Sequence, residues 1–169
     1  MLLQPHQLYH VYNRGNNKKR LFYQEPNYPC FISKMKKYVI PHCDLLAYCL
    51  MPNHFHFLIY ASERTVLPFH HSRTDDPDFV TLDVINMTCF ARGLQLLLSS
   101  YAKTINKQYK RTGSLFTQNT HCKRTSSDIC IEDYSLWCFN YIHFNPVAAG
   151  LVYSPADWPY SSFGEFLGH

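Results

Sequence analysis

Residues 44–60, DLLAYCLMPNHFHFLIY, constrain the fold more than any other part of the chain. Two apolar runs, 44-DLLAYCLM-51 and 54-HFHFLIY-60, are split only by Pro52-Asn53. Proline presets one backbone angle and asparagine tolerates turn geometry, so the pair reads as the short loop of an antiparallel hairpin. An isolated hairpin is marginal in water, and the flanking segments must supply further strands and a covering layer.

The segment 7-QLYHVYNRG-15 alternates as a strand and runs into an Arg-Gly-Asn-Asn turn. Over 26–42, Phe31, Met35, Tyr38 and Val39 recur at helical spacing until Pro41 stops the run. Residues 61–80 are polar and aperiodic, which predicts a long loop. Thr81 or Asp83 can cap a helix reaching about Tyr109, with Val84, Met87, Leu94, Leu97, Leu98 and Tyr101 on its apolar side. A strand is expected over 115-LFTQNTHCKR-124. Ser126, Ser127 or Asp128 then caps a third helix, 129-ICIEDYSLWCFNYIHFN-145, which Pro146 and Gly150 bring to an end. This order predicts an α+β fold: a ferredoxin-like βαββαβ antiparallel sheet with one additional C-terminal helix, in a single domain over 1–169.

Composition supports one packed core. Hydrophobic residues make up 46% of the chain and aromatics 16%, with 13 Tyr and 12 Phe, a supply that argues against disorder. No apolar run approaches the roughly 18 residues that cross a bilayer, and MLLQPHQLYH lacks the basic and apolar regions of a signal peptide, so no membrane partner and a cytoplasmic location are expected. The seven cysteines form no CxxC pair and read as reduced thiols. Net charge is +4, and basic residues gather in 14-RGNNKKR-20, 34-KMKK-37, 103-KTINKQYKR-111 and 123-KR-124. Taken singly, each cluster also suits a solvated charged surface.

Strand periodicity puts His54 and His56 on one face and Phe55 and Phe57 on the other. Two neutral imidazoles converging on one point can ligate a divalent metal and leave positions open for substrate. By spacing alone an ordinary core or surface histidine pair is the better fit. A second constellation lies in 139-FNYIHFNPVAAGL-151: on a helix, Tyr141 and Asn145 are four residues apart and share a face, with Tyr134 and Cys138 farther back on that stripe. His143, two residues on, points away from Tyr141.

The phrases 9-YHVYNRGNN-17, 46-LAYCLMPNHFHFLI-59 and 141-YIHFNPVAAGLV-152, in that order, resemble the single-tyrosine HUH transposases, in particular the REP-associated tyrosine transposase branch. The resemblance spans about residues 8 to 163. It implies a metal-dependent endonuclease and strand transferase for single-stranded DNA carrying a hairpin or palindromic repeat, working through a 5′-phosphotyrosine intermediate. Carried over by position, Tyr141 is the nucleophile, and His54, His56 and Asn145 bind Mg²⁺ or Mn²⁺. Arg14, Lys18, Lys19, Arg20, Lys103, Lys107, Lys110, Arg111, Lys123 and Arg124 are the candidate DNA contacts, and His10, on the first strand, is a candidate supporting residue beside the metal ligands. Ala148 departs from the arginine usual in that phrase. Related proteins act as homodimers or as monomers, and the C-terminal 153-YSPADWPYSSFGEFLGH-169 could close over the site. A non-catalytic DNA-binding regulator derived from a transposase is the alternative reading.

Overall fold

The computed structural model describes residues 3–69, 87–125 and 131–168. In chain order its elements are β1 (Gln7–Arg14), α1 (Asn27–Tyr38), β2 (Asp44–Met51), β3 (His54–Ala61), the single turn α2 (Glu63–Val66), α3 (Cys89–Gln108), β4 (His121–Arg124), α4 (Ile131–Ala148) and a last short turn α5 (Phe163–Phe166). The strands form one antiparallel sheet in the order β2-β3-β1-β4. That is the ferredoxin-like order expected from the sequence, with the Pro52-Asn53 hairpin joining β2 to β3.

The two faces of the sheet carry different layers. Helices α1 and α3 cover one face, where Phe31 and Met35 of α1 and Phe90, Leu94, Leu97, Tyr101 and Ile105 of α3 meet Tyr9, Val11, Leu50, Phe55, Phe57 and Ile59. Gly93 permits the helices to approach, because a Cβ there would lie 2.0 Å from the Tyr38 carbonyl oxygen. The buried Tyr101 hydroxyl donates to the Leu21 carbonyl at 2.9 Å, so its polar end is not stranded in the core. Helix α4 lies on the opposite face over β2 and β3, where Cys138 and Ile142 pack on Ala47, Cys49, Met51 and Leu58. Small residues on β2 let α4 sit close. A register shift between Leu45 and Ala47 aligns Cys49 with His56 and Met51 with His54, so these four share the α4 face.

Several expectations are corrected. Helix α4 runs through Pro146 to Ala148 rather than stopping at Asn145. Pro146 leaves the Ile142 carbonyl without its helical donor, and the last turn closes through Ala149 N–H to Asn145 O and Leu151 N–H to Pro146 O, both 2.9 Å, with Gly150 at φ +67° ending it. Helix α3 starts at Cys89 with Thr88 as its cap; Thr81, Asp83 and Val84 lie outside the described residues, as do the caps considered for α4. Only His121–Arg124 of the 115–124 segment pairs as strand, while Leu115 and Phe116 are buried ahead of it. The loop after β3 contains α2 and a bridge between Pro68 and Thr88.

The C-terminal segment does not lie over the histidines. It straps the outer edge of β2: Leu50 N–H donates to Tyr160 O, Ser162 N–H to Tyr48 O, and Tyr48 N–H to Ser162 Oγ. Covering an edge strand in this way removes a row of unpaired backbone groups. Six cysteines among the described residues are free thiols, in agreement with the sequence reading. No helix among the described residues is long and apolar enough to cross a membrane.

Candidate functional site

Cross-strand pairing builds the site. Arg14 pairs with His54, Tyr12 with His56 and His121, and His10 with Leu58 and Lys123. Directly paired residues point to the same side of a sheet, so Arg14, Tyr12, His10, His121 and Lys123 share the face of His54 and His56. This is the face on which α4 packs.

The two imidazoles are held in similar ways. His54 Nδ1 lies 2.6 Å from Asn53 Oδ1, an atom that only accepts, so Nδ1 carries the proton and Nε2 the lone pair. His56 Nδ1 lies 2.8 Å from His10 Nε2, and donation to His10 likewise leaves the His56 Nε2 lone pair available. That Nε2 atom is buried and has no hydrogen-bond partner among the described residues. A buried nitrogen without a partner is costly, and ligation of a cation is one way to satisfy it. The rings stand 4.9 Å apart and nearly perpendicular.

Burial keeps these groups uncharged. Desolvation lowers His54, and it lowers His56 well below its usual value with help from His54 and His10. His10 is brought down to about 4, first by burial and then by Lys123. Neutral imidazoles are the form that donates a lone pair to a metal.

Tyr141 comes over this pair from α4 with its ring edge-on, its centroid 5.7 Å from His56 and 6.1 Å from His10. It remains 41% exposed, so a bulky substrate has access to it. Trp137, one turn earlier, stacks on Tyr141 at 5.2 Å and 10°. Cys138 is not on the tyrosine's face, as its spacing had implied, but buried in the apolar seam with Ile142. His143 points away as expected; it is fully buried and bonds Ser162 Oγ at 2.9 Å.

Asn145 is on α4 one turn beyond Tyr141, and its Nδ2 donates to the Tyr141 carbonyl oxygen at 2.7 Å. Its Oδ1 is the atom left to a cation. Among the described residues no group of three or more His, Cys, Asp or Glu side chains is disposed to hold a metal, so a three-ligand site here depends on that amide. Two imidazole nitrogens, one of them buried and without a hydrogen-bond partner among the described residues, and an amide oxygen are donor types that suit a divalent cation.

The basic residues divide into two groups. Arg14 and Lys123 are exposed on the histidine face. Lys18, Lys19 and Arg20 are exposed on the loop after β1, anchored by Gly15 N–H to Asn53 O at 2.7 Å beside the turn that precedes His54. Gly15 is required there, since a Cβ would meet the Lys19 carbonyl oxygen at 1.9 Å. By contrast, Lys103, Lys107, Lys110 and Arg111 belong to α3 and its end, on the other layer. The Arg111 guanidinium is engaged with the Tyr23 hydroxyl at 2.7 Å, and Arg124 Nε with Gln7. Sequence spacing did not single out Asn53, Tyr12, Trp137 or His121; the Pro-Asn-His junction was the only local signal for the first.

No family model matches the chain. A Haemophilus influenzae protein named, provisionally, as a REP-associated tyrosine transposase is 27% identical over 122 residues, which are 71% of this chain and 58% of that protein. The chain thus spans a little over half the length of this curated relative. A solved structure of a REP-associated tyrosine transposase bound to a REP hairpin superposes with a TM-score of 0.63 at 14% identity, covering 100% of this chain and 84% of the other. The fold is that of a tyrosine transposase, and the likeness read from the sequence phrases is borne out.

Proposed function

We propose that this chain is a metal-dependent single-stranded DNA endonuclease and strand transferase acting through Tyr141. The observation that carries this reading is the convergence, on one sheet face, of two pre-oriented neutral imidazoles and an accessible phenol from a separate helix. The similarity to a named transposase and to the hairpin-bound structure's fold supports a DNA hairpin as the partner class.

His54, His56 and Asn145 would hold Mg²⁺ or Mn²⁺. When bound, such an ion supplies charge neutralisation on the scissile phosphate and orients it for in-line displacement. Phenol, with a pKa of about 10, is only about 0.1% ionised at pH 7, equivalent to roughly 4 kcal/mol, and the site must offset much of that for attack to proceed. The Tyr141 oxygen bonds to phosphorus as its proton is lost, and the bond from phosphorus to the 3′-oxygen breaks. The products are a 5′-phosphotyrosine link and a 3′-hydroxyl, which can return along the same path to rejoin strands. His10 and Asn53 hold the ligating rings, while Arg14, Lys18, Lys19, Arg20 and Lys123 engage flanking phosphates.

A second reading, a DNA-binding regulator without catalysis, draws on the Asn145 amide, which is bonded to its own helix. Mn²⁺ titration followed by electron paramagnetic resonance separates the two. The catalytic reading predicts one saturable site that disappears in His54→Ala and His56→Ala and weakens in Asn145→Ala. Mn²⁺ binding unchanged in all three would defeat it.

A further inference from the structure

The site lies within a longer row of rings. From α4 to the sheet edge it runs Trp137, Tyr141, the His10–His56 pair, Tyr12 and His121. Trp137 and Tyr141 are nearly parallel, Tyr141 meets both histidines edge-on, and His10 and Tyr12 have centroids 4.8 Å apart. Tyr12 and His121 stack at 4.9 Å and 16°. The row has a catalytic pair at its middle and exposed rings at both ends: Trp137 is 54% exposed and His121 is exposed on the short edge strand.

Cys138 and Ile142 fill the seam under α4, and Trp137 lies outside that apolar cluster. A cross-strand pair such as Tyr12–His121 lends an edge strand some support, yet an aromatic pair and an exposed indole flanking the proposed reacting phosphate ask for a flat ligand. Lys123 shares the sheet face with His121, two residue pairs along, where it can meet a phosphate between bases.

We propose that this row is a nucleobase-stacking track for single-stranded DNA. One base beside the scissile phosphate rests on Trp137, a base on the other side rests on the Tyr12–His121 pair, and Lys123 contacts the backbone between. Stacking of this kind is tolerant of sequence because every base presents a π-face. The inference rests on the function proposed above and adds the residues that position the strand.

The test compares a short oligothymidylate with an abasic deoxyribose-phosphate chain of the same length, bound to the Tyr141→Phe protein and followed by fluorescence anisotropy. The parent should prefer the oligothymidylate by roughly five-fold to a hundred-fold. Trp137→Leu, Tyr12→Leu and His121→Ala should each reduce that preference while leaving affinity for the abasic chain unchanged, and Tyr12→Phe should restore it. Lys123→Ala should weaken both ligands equally. Full preference retained in Trp137→Leu and Tyr12→Leu overturns the track, as does failure of the parent to bind either chain. Covalent capture by the Tyr141-containing protein is scored separately, so loss of the stacking track and loss of the nuclease reading give different results.

Discussion

The two faces of β3 use the same alternation for opposite ends. Toward α1 and α3 it presents Phe55, Phe57 and Ile59, members of an aromatic and aliphatic cluster that includes Phe22, Phe31 and Tyr101. Toward α4 it presents His54, His56 and Leu58, where the buried apolar cluster among the described residues is only Ala47, Cys49, Met51, Leu58, Cys138 and Ile142. Large apolar contacts place most stabilisation on the first face. The second carries less of it and accommodates a nitrogen without a hydrogen-bond partner among the described residues. On the proposed function, stability and chemistry are separated by one residue along a single strand.

Substitutions that act on one face alone sharpen this contrast. The largest effect is expected for Tyr141→Phe: formation of a protein–DNA adduct falls below detection on denaturing gels, with an unchanged melting temperature because the side chain is 41% exposed. Next, His56→Ala should lower metal-dependent nicking more than ~100-fold, with a stability cost of no more than roughly 2 kcal/mol by urea unfolding. Its neighbour Phe57→Ala should lose about 3 to 5 kcal/mol by the same measurement, since it opens a cavity in the main cluster. Equal destabilisation by the two changes would make His56 a core residue and erase the distinction.

His10→Ala should weaken Mn²⁺ affinity by about 10- to 100-fold, and His10→Gln, which can still accept from His56 Nδ1, should recover part of it. The smallest effect belongs to the strap. Ser162→Ala removes the acceptor for Tyr48 N–H and the partner of His143, and should cost about 1 to 3 kcal/mol in unfolding while nicking by the folded protein is retained.

Local periodicity explains what was legible in the chain. The hairpin, the facing of His54 and His56, and the inward faces of α1 and α3 follow from repeats of two and 3.6 residues, and the structure has them. The supporting contacts depend on register between segments distant in sequence. His10 meets His56 only because β1 pairs with β3, and Tyr12 meets His121 only because β1 also pairs with β4. Nothing in 115-LFTQNTHCKR-124 announces that just its last four residues form a strand, with Phe116 making only an isolated bridge to Gly15. Pro146 misled the reading of α4 because the helix continues past it for two residues, to Ala148. Cys138 was placed on the tyrosine's stripe for a related reason: α4 is apolar nearly all round, so spacing alone does not say which side meets the sheet.

Mapping the covalent adduct shows which side chain attacks the DNA. The protein is incubated with Mn²⁺ and a pool of single-stranded DNAs bearing a stem–loop with randomised flanks, labelled on the 3′ side, and the captured peptide is sequenced by mass spectrometry after digestion. The account predicts a label joined to Tyr141 through a 5′-phosphate, lost when the metal is chelated beforehand and absent in His56→Ala. A label on another residue, or capture that persists in the presence of chelator, would contradict it.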